Sequence, residues 1–429
     1  MEKSLFFQWL QNTFGPVIQR FVETINGKDG ASPSYLFQQY LSKSFSIDLK
    51  WGSLNSNGSS VAADVVALDA SVPLKRRDSF GTVEGKVPKL GMKMQKTENE
   101  MQELYILEQT NVGGANAGII RDKLFNDPLR SVRGVYERLE YMFLEGLSTG
   151  YATISEDINV GTAVRINYGY SGDNSYGVGA KWSSSDAKPI TDIENIKEAA
   201  RSEGRSFSVM MMDNKAFNNF RSKSEVKELY AAGLNFSGAN IPTPNMAQVN
   251  DTLQSNGLPT IIIIDRSVNV EKNGIRTSVR PWAEGVVVFA DSANLGRVVW
   301  SNLIESIKPK QDILYTKADD YILVSQWHTN DPYSETVSSQ ALAVPVIDNV
   351  NSIYVMDTEE SSDDVQVEGD ANYLYETVSY TRTSVIAGIN TSDSQTADAS
   401  MTDAQLKYRI NRLSDAEIEA FEAELVEAL

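Results

Sequence analysis

Apolar residues along this chain change period several times, and each change marks an element. Phe6, Trp9 and Leu10, then Val17, Ile18, Phe21 and Val22, recur at helical spacing either side of Pro16, which predicts short helices at the start. Ser32 before Pro33 reads as a cap with a first-turn proline, opening a second amphipathic helix that carries Tyr35, Leu36, Tyr40 and Leu41. So much apolar surface has to be packed, either in the same subunit's core or on a neighbour. From Val61 to Leu107 the texture becomes strand-like: Val66, Leu68, Ala70 and Val72 alternate with Val65, Ala67, Asp69 and Ser71, and Leu90, Met92 and Met94 recur at every second position. Gly81 and Gly85 lie between the two runs, so the expectation is a long two-stranded hairpin.

Asp127 and Pro128 then supply a cap and a first-turn proline, followed by Leu129, Val132, Tyr136, Leu139, Phe143 and Leu147 at steps of three and four. Gly150 ends the pattern. The spacing predicts a helix over 127–148, roughly 33 Å long at 1.5 Å per residue. Arg130, Arg133, Glu137, Arg138 and Glu140 fall on its exposed side.

Short strands rich in glycine and aromatics are expected over 158–182, with a turn at Gly172. Helices and buried strands then alternate: a helix from Asp192 to Ala200, a strand from Ser206 to Met212, two short helices through Phe217, Phe220, Val226, Leu229 and Tyr230, a helix over Met246 to Leu253 and a strand from Thr260 to Asp265. A turn at Asn273 and Gly274 precedes strands at 285–290 and 296–300. This is a mixed domain with a covered sheet, and the fold class is α+β. Beyond Glu359 a linker over 361–370 leads to a strand-like run from Tyr373 to Ile389 and a polar linker over 390–400. A 12-residue repeat follows, in which Thr402 with Gln405 and Ser414 with Glu417 each form a capping-box pattern, so a terminal helical hairpin is expected.

Composition narrows the function. The chain has 429 residues, 57 acids and 39 bases, for a net charge of −18. Such a charge argues against a protein whose main task is gripping nucleic acid. The charge is uneven: the last 71 residues hold 16 acids and 4 bases, whereas Lys75, Arg76, Arg77, Lys86, Lys89, Lys93 and Lys96 face only Asp78 and Glu84 in the hairpin. A basic tongue on an acidic body points to an acidic partner surface, either nucleic acid or another copy of the chain. For any one lysine, protection of a sheet edge is an equally physical role.

Chemistry is sparse. There is no cysteine and a single histidine, His328, so disulfides, thiolate metal sites and cysteine nucleophiles are excluded and an imidazole-rich metal site has no ligand set. The glycine-rich stretches at 113–118 and 177–179 lack the frames of a phosphate or dinucleotide loop. His328 follows a strand expected over 321–325, with Asp331 close by, yet no Gly-x-Ser-x-Gly elbow supplies a nucleophile. A strand-end histidine with a hydrogen-bonding role is the simpler reading. No catalytic, cofactor or metal residues are assigned. Met1 to Leu10 is too brief for a signal-peptide core, and the aliphatic run from Ile261 to Ile264 falls short of the ~20 residues that span a membrane. A chain that is soluble and cytoplasmic when made is expected.

The order of parts (arm, basic hairpin, long helix, mixed domain) resembles a tailed-bacteriophage major capsid protein of the Hong Kong 97-type fold, near the lambda-like group. The resemblance is strongest over Val61 to Gly150, Pro281 to Trp300, Asp320 to Val324 with Asp331 and Pro332, and Ala343 to Val355. It implies an N-terminal arm over 1–60, an extended loop over 61–110, a peripheral domain over 111–200 with the 127–148 helix as its spine, an axial domain over 201–318, return strands over 319–357 and an added acidic appendage over 358–429. It implies self-assembly into hexamers and pentamers of an icosahedral shell around double-stranded DNA, in the virion after assembly in the host cytoplasm. The seven basic hairpin residues would make contacts between subunits. Portal, scaffolding and decoration proteins would be partners, packaged DNA would touch the inner face weakly and without sequence preference, and no membrane would be involved. Two alternatives stay open: an encapsulin-like compartment of the same fold, and a β-rich glycan-binding adhesin, for which the Tyr- and Gly-rich strands from Tyr168 to Trp182 speak.

Overall fold

The computed structural model describes residues 4, 6–10, 12–28, 31–55, 81–154, 164–170, 174–233, 241–291, 294–361, 372–375, 378–392, 395–397, 401, 406–407, 409–410 and 413–426. They fall into two compact units: Met1–Gly52, Glu84–Leu144 and Gly296–Val346 form one, and Ser53–Val83, Glu145–Leu295 and Ile347–Leu429 the other. These units cut across the stretches expected from sequence. Strand Gly296–Ser301 belongs to the first unit and strand Tyr354–Ser361 to the second, because each pairs with strands from distant stretches that local periodicity does not reveal.

The first unit holds a six-stranded sheet. Leu41–Phe45 runs parallel to Gly296–Ser301, followed by Tyr333–Ile347, Ile322–Asn330 and Leu314–Lys317. Lys89–Lys96, expected as one arm of a long hairpin, instead pairs antiparallel with residues 335–342. The hairpin that is described joins Lys50–Asn55 to Gly81–Lys86, where the Trp51 ring fills the space that a Cβ at Gly85 would need. The strand-like reading also stops at Lys96, since Glu98–Gln109 is a helix. The Glu100 carboxylate accepts from the Thr97 N–H at 2.8 Å, completing a capping box, and Met101 and Leu104 are buried three residues apart. Val61–Val72 and Lys75–Arg77 lie outside the described residues.

The long helix is Ala117–Thr149, so it begins ten residues before Asp127 and contains Pro128. Buried Ile120, Leu124 and Phe125 extend its apolar face N-terminally, and this packing outweighs the one backbone hydrogen bond that proline removes. Val132, Tyr136, Leu139, Phe143 and Leu147 are buried as the spacing predicts. Gly150 closes the helix at φ 81°, its N–H donating to the Gly146 carbonyl.

Glu140 corrects the expectation of an exposed charge. It is wholly buried, and its two carboxylate oxygens accept from the N–H groups of Leu36 and Phe37, each at 3.0 Å. The second helix is accordingly only Leu36–Tyr40, with Leu41 already in a strand. Its first turn is capped by this distant carboxylate and not by Ser32 and Pro33. In helix Phe14–Ile25, Phe14, Ile18, Val22 and Ile25 are buried within the chain itself, so the start of the chain is part of its own subunit's core.

The second unit is built on a five-stranded sheet in the order Ser175–Val178, Tyr354–Ser361, Val286–Ala290, Val209–Met212, Thr260–Ile263. Helices Pro189–Ser202, Asn214–Ser222, Ser224–Gly233 and Met246–Ser255 match the expected pattern. Ile193, Phe220, Leu253, Met210 and Phe289 share one core with Trp182, whose Nε1 donates to Asp192 at 3.0 Å. Asn273 at φ 52° and Gly274 at φ 79° turn the chain between Val268–Lys272 and Ile275–Val279.

The acidic tail has a hydrophobic core of its own: Tyr373, Val385, Ile389, Ala397, Leu406, Ile410, Leu413 and Phe421. Asn372–Tyr375 pairs with Val378–Thr381, but the strand-like reading fails from Arg382, because Arg382–Asn390 is a helix that buries Val385 and Ile389 at a four-residue step. The polar stretch after it folds back, with Asn390 Nδ2 donating to the Ala397 carbonyl at 2.9 Å and Asn390 Oδ1 accepting from the Ala397 N–H at 2.7 Å. Ser414 and Glu417 form the expected capping box on helix Asp415–Ala423, while the matching pair at Thr402 and Gln405 lies outside the described residues.

Candidate assembly surface

Strand Lys89–Lys96 sorts the basic candidates by the two-residue period of a pleat. Lys89 and Lys93 are exposed on one face, whereas Leu90, Met92, Met94 and Lys96 share the other, where Met92 meets Gly134 of the long helix. Lys89 reaches Glu305 at 3.4 Å, and the Lys93 ammonium sits 5.7 Å from the Trp327 ring centroid. Lys96 is mostly buried and ion-paired with Asp127. Lys86 is exposed and has no ion-pair partner among the described residues. Of the seven candidates, then, Lys96 is held inside its own chain, Lys86, Lys89 and Lys93 face outward, and Lys75, Arg76 and Arg77 lie outside the described residues.

Lys96, Glu335 and His328 are register neighbours across three strands. Glu335 is 2% exposed and accepts from Ser4 Oγ at 2.5 Å and Gln326 Nε2 at 2.9 Å, tying the start of the chain to the sheet. His328 lies within strand Ile322–Asn330 and not at its end. Its Nδ1 is buried without a hydrogen-bond partner among the described residues, so the expected hydrogen-bonding role is not seen at that atom. Among the described residues no group of three or more His, Cys, Asp or Glu side chains is placed to hold a metal ion.

A second polar cluster lies in the same unit, with Tyr136 and the Asp319 carboxylate buried and Lys43 and Asp320 exposed. Asp319 accepts from Tyr136 Oη at 2.7 Å and from Lys43 Nζ at 2.5 Å, and Lys43 also reaches Asp320 at 2.8 Å. Burial alone would raise the Asp319 carboxyl, but the hydrogen bond and charge of Lys43, with the Tyr136 hydroxyl, hold it below the ordinary carboxylate range. Burial lowers Lys43, and the two aspartates more than offset this, so its ammonium is held above the ordinary lysine range. Burial, with the neighbouring Tyr321 and Asp319, pushes Tyr136 far up. Because the folded-state value of Asp319 is depressed, its stabilisation is present at neutral pH and is lost as pH falls through that value. Asp319→Asn should melt below the wild type at pH 7, and the difference should shrink as pH falls through the depressed folded-state value of Asp319. A constant difference across a pH series of thermal melts would contradict the ionised-carboxylate role.

The sequence reading missed an exposed apolar corner between helix Glu98–Gln109 and the long helix. Tyr105, Ile106, Val112 and Ile119 are all exposed there, Val112 at 84%. Reading 61–107 as strand hid it, although Thr97 and Glu100 carried a capping-box signal.

A family model described as phage major capsid protein E matches residues 37–357. Among solved structures, a prophage protein of E. coli CFT073 assigned as a capsid protein is 15% identical, with 65% of this chain and 79% of that one covered and a TM-score of 0.45. A phage-related protein from Bordetella bronchiseptica RB50 is 12% identical over 80% of this chain and 97% of its own, with a TM-score of 0.44. The capsid of Myoviridae phage XM1 is 11% identical over 75% and 90%, with a TM-score of 0.40. Compared by sequence with curated proteins, the chain has no match.

Proposed function

This chain belongs to the phage major capsid protein E family, and from that premise we propose how its surface serves the shell. It is a structural protein whose copies assemble into the capsid, which sets aside the compartment and adhesin alternatives. In our reading the basic stretch of Lys75, Arg76 and Arg77, with Lys86 on the hairpin strand and Lys89 and Lys93 on the exposed face of the adjoining sheet strand, lies on an acidic surface of the next subunit. The observation that carries this is the separation of charge, a basic stretch within a chain of net charge −18. Contacts of this head-to-tail kind close into rings, and many modest interfaces per particle add up through multivalency. Hexamers and pentamers are the rings that the capsid resemblance implies. An acidic wall would hold packaged DNA weakly and without sequence preference, and portal, scaffolding and decoration proteins would meet the shell after its subunits are made in the host cytoplasm. Expressed alone and viewed by negative-stain electron microscopy, the protein should form uniform closed or tubular particles. Monomers at every concentration and salt would overturn the reading.

The tail serves as a docking appendage in this reading, and its separate hydrophobic core supports that role. Deleting residues 361–429 should leave the far-UV circular dichroism per residue close to that of the full chain while changing particle size or thermal stability. A truncated chain that no longer folds would instead make the tail part of the subunit core.

A further inference from the structure

Strands Val268–Lys272 and Ile275–Val279 form a two-stranded sheet that no third strand joins among the described residues. Asn273 and Gly274 both take positive φ, so they form the two-residue turn whose flanking pair, Lys272 and Ile275, closes the ladder with its own hydrogen bonds. Bonded and non-bonded pairs alternate from there. Val270 with Thr277, and Val268 with Val279, bond inward. The N–H and C=O groups of Glu271 and Asn269 therefore point out along one edge of the hairpin, and those of Arg276 and Ser278 along the other.

The two strands are covered differently. Val268 and Val270 are buried and seat the first strand on the body of its unit. Every residue from Ile275 to Ser278 is exposed, Ile275 at 71%. An open edge of this kind is a template for another strand, and natural edges are guarded by charge, proline or a bulge. Here the register has no bulge and the strand has no proline. Its one charge, Arg276, is bound back across the hairpin, with Nε donating to Glu271 at 2.6 Å. The edge is left open to pairing.

The two edges also complement each other. Two copies facing the same way bring the Ile275–Val279 edge of one against the Val268–Lys272 edge of the next, antiparallel and five residues against five. In the register that matches the outward groups, Arg276 stands opposite Glu271 of the second copy and Ser278 opposite its Asn269. Opposite charges are then paired across the new ladder, and each outward N–H meets a C=O. Such a contact is head-to-tail, the kind that closes into rings.

We propose that strand Ile275–Val279 of one copy adds, edge to edge, to strand Val268–Lys272 of a second copy. The proposal rests on the shell reading above and gives it a main-chain contact separate from the basic stretch.

Two experiments test it. The chain has no cysteine, so two single-cysteine chains, Asn269→Cys and Ser278→Cys, can be mixed before assembly. Both positions are exposed. Under oxidising conditions, particles from the mixture should yield a disulfide-linked dimer on a non-reducing gel, absent from particles of either chain alone. Ser278→Pro removes an outward N–H and leaves the hairpin's own bonds in place, so it should keep the far-UV circular dichroism while particle yield in sedimentation velocity falls about tenfold. The cysteine pair decides the question whether or not the proline chain folds. Mixed particles without the dimer, or a folded proline chain that assembles at normal yield, would overturn the assignment and leave the shell reading intact. A wild-type chain that stays monomeric at every concentration and salt would overturn the shell reading, and this contact with it.

Discussion

Replacing Lys75, Arg76 and Arg77 together by glutamate should abolish shell assembly and leave the subunit folded. The change reverses three of the four bases in the 72–86 stretch. A single exposed ion pair contributes only about 0.2–1 kcal/mol, so the loss at one interface is modest. Reversal, however, converts attraction into repulsion, and the same interface recurs at every subunit of a ring. A change of about 2 kcal/mol per contact already corresponds to more than tenfold in each association constant, and the factors multiply around a closed shell. Sedimentation velocity should show the subunit peak alone, with an unchanged far-UV spectrum. Raising the salt of the wild type should push it in the same direction, since exposed charges are screened over about 8–10 Å at physiological ionic strength.

Glu140→Ala is expected to cost the first unit about 3–5 kcal/mol, the scale for removing one partner of a buried charged interaction. The side chain is wholly buried and accepts from two backbone N–H groups at the first turn of Leu36–Tyr40. Truncation leaves both donors in a dry site with no acceptor, and each unmet donor adds about 1–3 kcal/mol. Glu140→Gln keeps an acceptor and should lose less. Hydrogen exchange at the amides of Leu36 and Phe37 reads the effect directly, and slow exchange unchanged in the alanine variant would contradict the capping role.

That carboxylate also shows where sequence reading ends. The stripe from Val132 to Leu147 was legible because a helix that covers a core must repeat apolar residues at three and four. Glu140 was placed on the exposed side by the same rule, since periodicity reports the average face and not a partner about a hundred residues away. Asp127 and Pro128 looked like a start for a similar local reason, yet buried Ile120, Leu124 and Phe125 carry the helix past them. In the tail, Ser414 and Glu417 announced a helix correctly, whereas Val385 and Ile389 were lost among β-branched neighbours. The alternation of Leu90, Met92 and Met94 was right about the strand and silent about its partner, because pairing with residues 335–342 depends on chain that is remote in sequence. The candidate surface divides in the same way. The charge of the hairpin is visible in composition, while the inward turn of Lys96 and the apolar corner at Val112 appear only once helix and strand are placed.

In this reading copies of the chain hold one another through the basic stretch at Lys75, Arg76 and Arg77. A side-chain-resolution electron cryomicroscopy reconstruction of the assembled particle tests that contact at the residues themselves. Lys75, Arg76 and Arg77 of each copy are expected within ion-pair distance of carboxylates on the adjacent copy. A particle in which that stretch folds against its own subunit, or projects into solvent with no neighbour in reach, would contradict it.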